Sequence, residues 1–235
     1  MIIGNGFIAQ NFQSKIKIIK KLNLAIFASG VSNSLTHNNS DFLREKKKIV
    51  KYKNRINNKT LVYISSCGVF DPSRNQKPYF IHKIEMENLV KTNFKKFIII
   101  RFPEIIGHSS NKNNLINFLY DKIKNNKKFT LYFNSKRNVL DVNDAINLSL
   151  AYIEKKINKK KKNFEINIAN ERFYTVLKII NTIENITLKK ANFIKKNIYN
   201  SNWEFINSID KKLMKKLNIR FNKFYLNNAI IKYYA

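Results

Sequence analysis

Met1-Ile2-Ile3-Gly4-Asn5-Gly6-Phe7-Ile8-Ala9 runs from a short apolar stretch through a glycine turn into the start of a helix. Glycine lets a backbone turn tightly and come close to a pyrophosphate, and a helix start offers unpaired N–H groups with partial positive charge. A small residue at Ala9 lets helix and strand pack closely. The same pattern suits an ordinary strand–helix turn; its place right after the first strand of an alternating chain points to a dinucleotide. Gly4, Asn5, Gly6, Phe7 and Ile8 are therefore candidate cofactor-binding residues.

Outward from this turn the chain alternates. Apolar runs at 24–28, 61–65 and 97–102 read as buried strands, and 41–54 and 78–90 as helices, the latter with proline suited to its first turn. Runs apolar on both faces, with helices between them, predict a parallel sheet covered on both sides. Ala28 and Ser29, where the second run ends, complete the candidate cofactor set. In the second half, Leu115, Phe118, Leu119 and Ile123 fall at helical spacing, as do Ile146, Leu150, Ile153 and Ile157, and again Val176, Ile179, Ile180 and Ile183. Strands are expected at 129–133 and 164–168, a solvated basic run at 159–162 and a last helix at 209–217. Trp203, Phe205 and Ile206 read as core.

With 235 residues and 44% apolar content, the chain suits one large domain with a real core. No apolar stretch is long enough to span a bilayer, and residues 1–4 lack the charged-then-apolar plan of a secretory signal. The single cysteine, Cys67, cannot form an internal disulfide, so a reducing cytoplasm is expected, and a small packed residue is the expected role. The net charge of +30 has two readings. A basic surface binds nucleic acid by counterion release. Heavy use of lysine, asparagine and isoleucine together reflects AT-rich codons, and the lysines are scattered along the chain. We expect the second, and no nucleic-acid partner. His37, His82 and His108 lack metal-ligand spacing, so no metal is expected.

Tyr79-Phe80-Ile81-His82-Lys83 places a phenol and an ammonium one helical turn apart. A neighbouring ammonium lowers a phenol's pKa and makes it a usable acid or base. Tyr120/Lys124, Tyr132/Lys136, Tyr152/Lys156 and Tyr174/Lys178 share the spacing. Only Tyr79 follows a buried strand that ends in hydroxyls, Leu61-Val62-Tyr63-Ile64-Ser65-Ser66, and a serine there faces the ligand crevice of a parallel sheet. Ser65 and Ser66 also read as plain turn residues. His82 suits either the site wall or the surface.

At these residues the chain resembles the extended short-chain dehydrogenases/reductases, the NAD-dependent epimerase/dehydratase family. Ser65-Ser66-Cys67-Gly68-Val69-Phe70 is similar to the family's serine segment, and Pro78-Tyr79 through Lys83, with Glu87 beyond, to its tyrosine–lysine helix. Arg101-Phe102-Pro103-Glu104-Ile105-Ile106-Gly107 resembles its next strand and substrate loop. Arg137-Asn138-Val139-Leu140-Asp141-Val142-Asn143-Asp144 resembles its arginine-led segment. The likeness runs in order over nearly the whole chain. It implies a Rossmann-type parallel α/β sheet with helices on both faces and a small C-terminal α/β lobe. We expect one domain over 1–235, with parts of about 108–140 and 170–235 forming the lobe.

The resemblance implies NAD or NADP as cofactor and a nucleotide-sugar substrate, epimerised, dehydrated or reduced in surface-polysaccharide synthesis. Tyr79 is implied as proton donor or acceptor, Lys83 as ribose ligand and Ser66 as the residue that orients the sugar oxygen. Arg137 matches an arginine on the substrate's diphosphate, and Glu104 stands where many relatives carry an asparagine that touches the sugar nucleotide. A homodimer through the helices beside the sheet is also implied. The chain departs from the family pattern at Ile3, where the first fingerprint glycine is expected, and in a shortened segment before Ser66. An acid expected about 20 residues after the fingerprint, to hold the adenosine ribose, is missing: no Asp or Glu precedes Asp41. The unit carrying it reads as deleted, with Lys15, Lys17, Lys20 and Lys21 as a weak case for a 2′-phosphate. Two rivals follow: a fold-retaining protein without strong cofactor binding, and a basic nucleic-acid binder.

Overall fold

The apolar runs of the first half become the strands of one parallel sheet. The computed structural model describes residues 1–56, 58–74, 76–161, 163–197, 205, 208 and 211–235; Trp203, Ile206 and the start of the helix expected at 209–217 lie outside these. In chain order come β1 (Ile2–Ile3), α1 (Phe7–Gln13), α2 (Ile16–Lys21), β2 (Leu24–Phe27), α3 (Asn39–Lys51), α4 (Lys53–Ile56), β3 (Thr60–Ser66), α5 (Pro78–Asn93) and β4 (Phe97–Phe102). Then follow β5 (Glu104–Ile106), α6 (Leu115–Lys124), β6 (Phe129–Tyr132), β7 (Lys136–Asp141), α7 (Val142–Asn158) and β8 (Phe164–Asn167). The last elements are β9 (Phe173–Thr175), α8 (Val176–Thr187), β10 (Phe193–Lys196), α9 (Lys211–Lys216) and α10 (Tyr225–Tyr234).

Strands β1, β2, β3, β4 and β8 lie side by side in that order, each parallel to its neighbour. The register pairs Ile3 with Phe27, Phe27 with Tyr63 and Tyr63 with Ile99. Because side chains alternate along a strand, the sheet has two apolar faces. One buries Leu24, Ile26, Val62 and Ile98 against Phe12 of α1, Ile19 of α2 and Ile146 of α7. The other buries Phe27, Leu61, Tyr63 and Ile99 against Ile49 of α3 and Met86 and Val90 of α5. At roughly 1.5–3 kcal/mol per large apolar side chain buried, these two layers dominate the drive to fold. Side-chain caps at Asn38, Asn114, Asp141 and Thr175 fix where α3, α6, α7 and α8 begin.

The steps from β1 to β2, β2 to β3 and β3 to β4 all go the same way across the sheet. Yet α1 and α2 lie on one face while α3 and α5 lie on the other. Crossovers that step the same way with helices on opposite faces have opposite hands. The α3 and α5 connections agree with each other, and right-handed is the near-universal form. The β1–β2 connection is therefore left-handed, and the long connection from β4 to β8, whose α7 packs on the same face as α1, shares its hand.

In the second half, β5 and β7 pair in parallel and β7 and β9 antiparallel, while β6 pairs with β10. Helices α6, α8 and α10 form a separate core around Ile116, Leu119, Ile179, Ile183 and Ile230. Not all of 170–235 belongs to it. Leu213 and Met214 of α9, with Ile219 and Phe221, return to the main sheet's core against α7.

Candidate active site

A cleft of about 590 Å³ opens at the carboxyl ends of β1 to β4. The loops after these strands form its floor, and Ser109, Asn111, Asn114, Arg137 and Asn138 from the second half close it. Asn5, Gly6, Phe7, Ile8, Ala28, Ser29, Ser66, Tyr79, Lys83, Glu104 and Arg137 all line it. Gly4 does not. Its φ of +131° favours glycine, and a β-carbon there would sit 2.4 Å from the Ala28 carbonyl oxygen. Gly4 thus lets the turn pack on β2, whereas a β-carbon on Gly6 would meet nothing within 4 Å. The glycine pattern divides into one residue for the fold and one for the cleft.

The end of β3 delivers the serines. Ser66 Oγ accepts a hydrogen bond from the Gly68 N–H at 3.1 Å, capping a short 3₁₀ turn at Cys67–Phe70, and its O–H is left for a ligand. Ser65 is buried, and its Oγ has no partner among the described residues. A β-carbon on Gly68 would lie 2.3 Å from Phe80, so this glycine seats the Phe80 ring and, edge-on to it at 4.9 Å, that of Tyr79. Cys67 is buried with its thiol on the Arg101 carbonyl, and burial pushes that thiol well up, which suits packing and not nucleophilic attack.

Of the tyrosine–lysine pairs at this spacing, only Tyr79 and Lys83 line the cleft. Pro78 starts α5, and the two side chains point the same way one turn apart. The Lys83 Nζ is 5.7 Å from the Tyr79 ring centre. The expected lowering of the phenol pKa is opposed: burial pushes it up, Lys83 pulls it down, and burial wins. In the free protein Tyr79 is a protonated acid.

Lys83 is tied down by a residue that the sequence reading missed. Its Nζ lies 3.2 Å from Glu45 Oε1 and 3.2 Å from the Tyr63 hydroxyl. Glu45 has no solvent exposure. It also accepts from the Val31 N–H and the Tyr63 O–H, both at 2.7 Å, and faces His82 Nε2 at 3.0 Å. Burial pushes the Glu45 carboxyl up, but the Lys83 ammonium and these hydrogen bonds hold it well below the usual range. His82 is therefore neither at the wall nor on the surface; it is buried behind the site and stacked on Phe42 at 4.6 Å. Gly30 covers the cluster, since a β-carbon there would sit 2.7 Å from Lys83 Nζ.

Beside Tyr79 two guanidiniums flank one carboxylate. Glu104 lies 3.8 Å from Arg74 and 4.0 Å from Arg137. Arg74, also missed, is held by Asp71 at 3.0 Å in the loop between serine turn and tyrosine helix. Arg137 is pushed down to about 10 by burial and by Arg74, and its Nε makes no hydrogen bond within the described protein. A half-buried arginine whose Nε lacks a hydrogen bond among the described residues, beside a second arginine, suits an anionic oxygen.

A sequence model of the NAD dependent epimerase/dehydratase family matches residues 8–169. No curated protein matches the chain. Among solved structures, MoeE5 in complex with UDP-glucose and NAD superposes with a TM-score of 0.75 at 11% identity, over 98% of this chain and 96% of that one. RMD from Pseudomonas aeruginosa complexed with NADPH gives 0.69 at 12% identity, over 97% and 95%. UDP-N-acetylglucosamine 4-epimerase from Bacillus cereus gives 0.69 at 18% identity, over 98% and 93%. At such identities the superpositions speak to the fold, a Rossmann-like parallel α/β sheet.

Proposed function

The chain belongs to the NAD dependent epimerase/dehydratase family, and on that premise we propose that it interconverts a hydroxyl and a ketone on a nucleotide-activated sugar, by epimerisation or keto-reduction, with NAD or NADP. One observation carries this reading. Tyr79, Ser66 and Lys83 share a cleft at the carboxyl ends of a parallel sheet with the Arg74–Glu104–Arg137 group. The nicotinamide half of the cofactor fits there: Gly6 leaves its backbone open to a phosphate, and Lys83 stands at the wall beside Tyr79.

When bound, the nicotinamide gives or takes the hydride. Tyr79 donates its proton to a ketone oxygen in one direction and takes the hydroxyl proton in the other. Lys83, kept charged by Glu45, offsets the negative charge on the phenolate. Ser66 donates to the same sugar oxygen and fixes its place. Arg137 and Arg74 hold the diphosphate through paired N–H groups. Dehydration calls for a carboxylic acid free to protonate the leaving hydroxyl. Among the described cleft residues the carboxyl is Glu104, within 4.0 Å of two guanidiniums, which favours epimerisation or reduction.

The test is Tyr79→Phe with a panel of UDP-sugars and their keto forms. Turnover falls by about 100-fold or more, the scale of general acid catalysis, while NADH binding measured by nicotinamide fluorescence is unchanged. Full turnover in the variant would refute the assignment.

A further inference from the structure

A dinucleotide-binding sheet is built from two βαβαβ halves, each holding one mononucleotide, with strand order reversing between them. Here the order β1-β2-β3-β4-β8 does not reverse, and β1 is the edge of the sheet. Within this sheet, every strand whose following loop lines the cleft is β1 itself or lies to one side of it. The hand of the first connection carries this further. Helices α1 and α2 occupy the face that a right-handed crossover uses to reach a strand outside β1. The chain turns back to β2 instead. Its first unit is laid out for an outer half that this sheet does not contain.

The residues agree. Asp41, the first acid in the chain, lies in the first turn of α3 beside Arg44 at 3.9 Å and Thr36 at 3.3 Å, and is not a cleft residue. Lys15, Lys17, Lys20 and Lys21 belong to the α1–α2 segment, and none lines the cleft.

We infer that the cleft grips a nicotinamide dinucleotide by its nicotinamide mononucleotide half and leaves the adenosine half in solvent. Affinity is then set by the mononucleotide, and a 2′-phosphate goes unread. Such a grip presupposes the cofactor reading above.

The full chain is titrated with NADH, NADPH and reduced nicotinamide mononucleotide, following nicotinamide fluorescence, with AMP as a competitor. The three dissociation constants agree within about threefold, and millimolar AMP displaces none of the ligands. Gly6→Val, whose side chain enters the open approach, weakens all three alike. Binding of NADH or NADPH about thirtyfold or more tighter than the mononucleotide, displacement by AMP, or binding untouched by Gly6→Val overturns the inference and leaves the cofactor reading standing. Failure of all three ligands to bind overturns both.

Discussion

Glu45→Gln removes one negative charge and one buried acceptor oxygen from the middle of the protein. Glu45 is 0% exposed and Lys83 3%. Glutamine keeps the length and one acceptor oxygen, but the Lys83 ammonium loses its counter-charge. Removing one partner of a buried pair costs about 3–5 kcal/mol, chiefly for the charge left behind. Replacing both partners costs far less, so Glu45→Gln/Lys83→Met recovers much of the loss, and the two single effects are not additive. The pH dependence follows from the shifts. Glu45 titrates below its unfolded value of about 4.3. Its contribution is present above about pH 4 and is lost as pH falls through the lower folded value. Burial lowers the Lys83 pKa, but Glu45 outweighs it and holds the ammonium above its ordinary value. Its contribution is present below about pH 10 and is lost as pH rises through the folded value. Glu45→Gln therefore flattens the acid limb of the stability profile. Urea denaturation followed by circular dichroism, across pH, on the parent, both single variants and the double variant reads all of this. An unchanged midpoint in Glu45→Gln, or strictly additive losses, refutes the reasoning.

The glycine turn separates stability from binding. Gly4→Ala forces a side chain onto a φ of +131° and against the Ala28 carbonyl, costing at least about 2 kcal/mol and several degrees of melting temperature. Gly6→Ala melts within about 1 kcal/mol of the parent but weakens cofactor binding; the opposite ranking in calorimetry would reverse these assignments. Arg137→Met removes a guanidinium whose burial disfavours its charged form. It melts no lower than the parent while UDP-glucose binding weakens by about 2 kcal/mol, and intact binding in a titration would take Arg137 out of the substrate site.

The parallel sheet was legible because its strands are continuous apolar runs flanked by helices with clear spacing; 24–28, 61–65 and 97–102 fall within a residue of β2, β3 and β4. Strands β5, β7, β9 and β10 were not read as strands, since short segments that mix charged and apolar residues, such as Lys136–Asp141 and Phe193–Lys196, carry too little pattern outside their tertiary setting. The site wall around Ser66, Tyr79 and Lys83 was readable from order along the chain. Its supporting layer was not, although Glu45 had a visible cue. Phe42, Glu45 and Ile49 share one face of α3 at spacings of three and four, and all are buried. An acid on an apolar stripe needs a buried cation. Arg74 had no such cue, because its loop position gains meaning only when Glu104 and Arg137 arrive from elsewhere. Lys83 was expected to bring Tyr79 down, and burial proved the larger effect.

The half-grip inferred above, if it holds, bears on which reaction the cleft serves. An epimerase returns the hydride it removes and needs its cofactor to stay through the turnover. A keto-reductase spends the hydride and needs its cofactor to leave. Adenosine contacts slow departure, and a sheet with β1 at its edge offers no strand beyond it to make them. The proposed substrate side is built the other way, with Arg44, Arg74 and Arg137 against Glu104 at the wall, on a chain of net charge +30 that favours anions. On the proposed reading, a firmly held sugar nucleotide and a readily exchanged cofactor would together favour reduction over epimerisation.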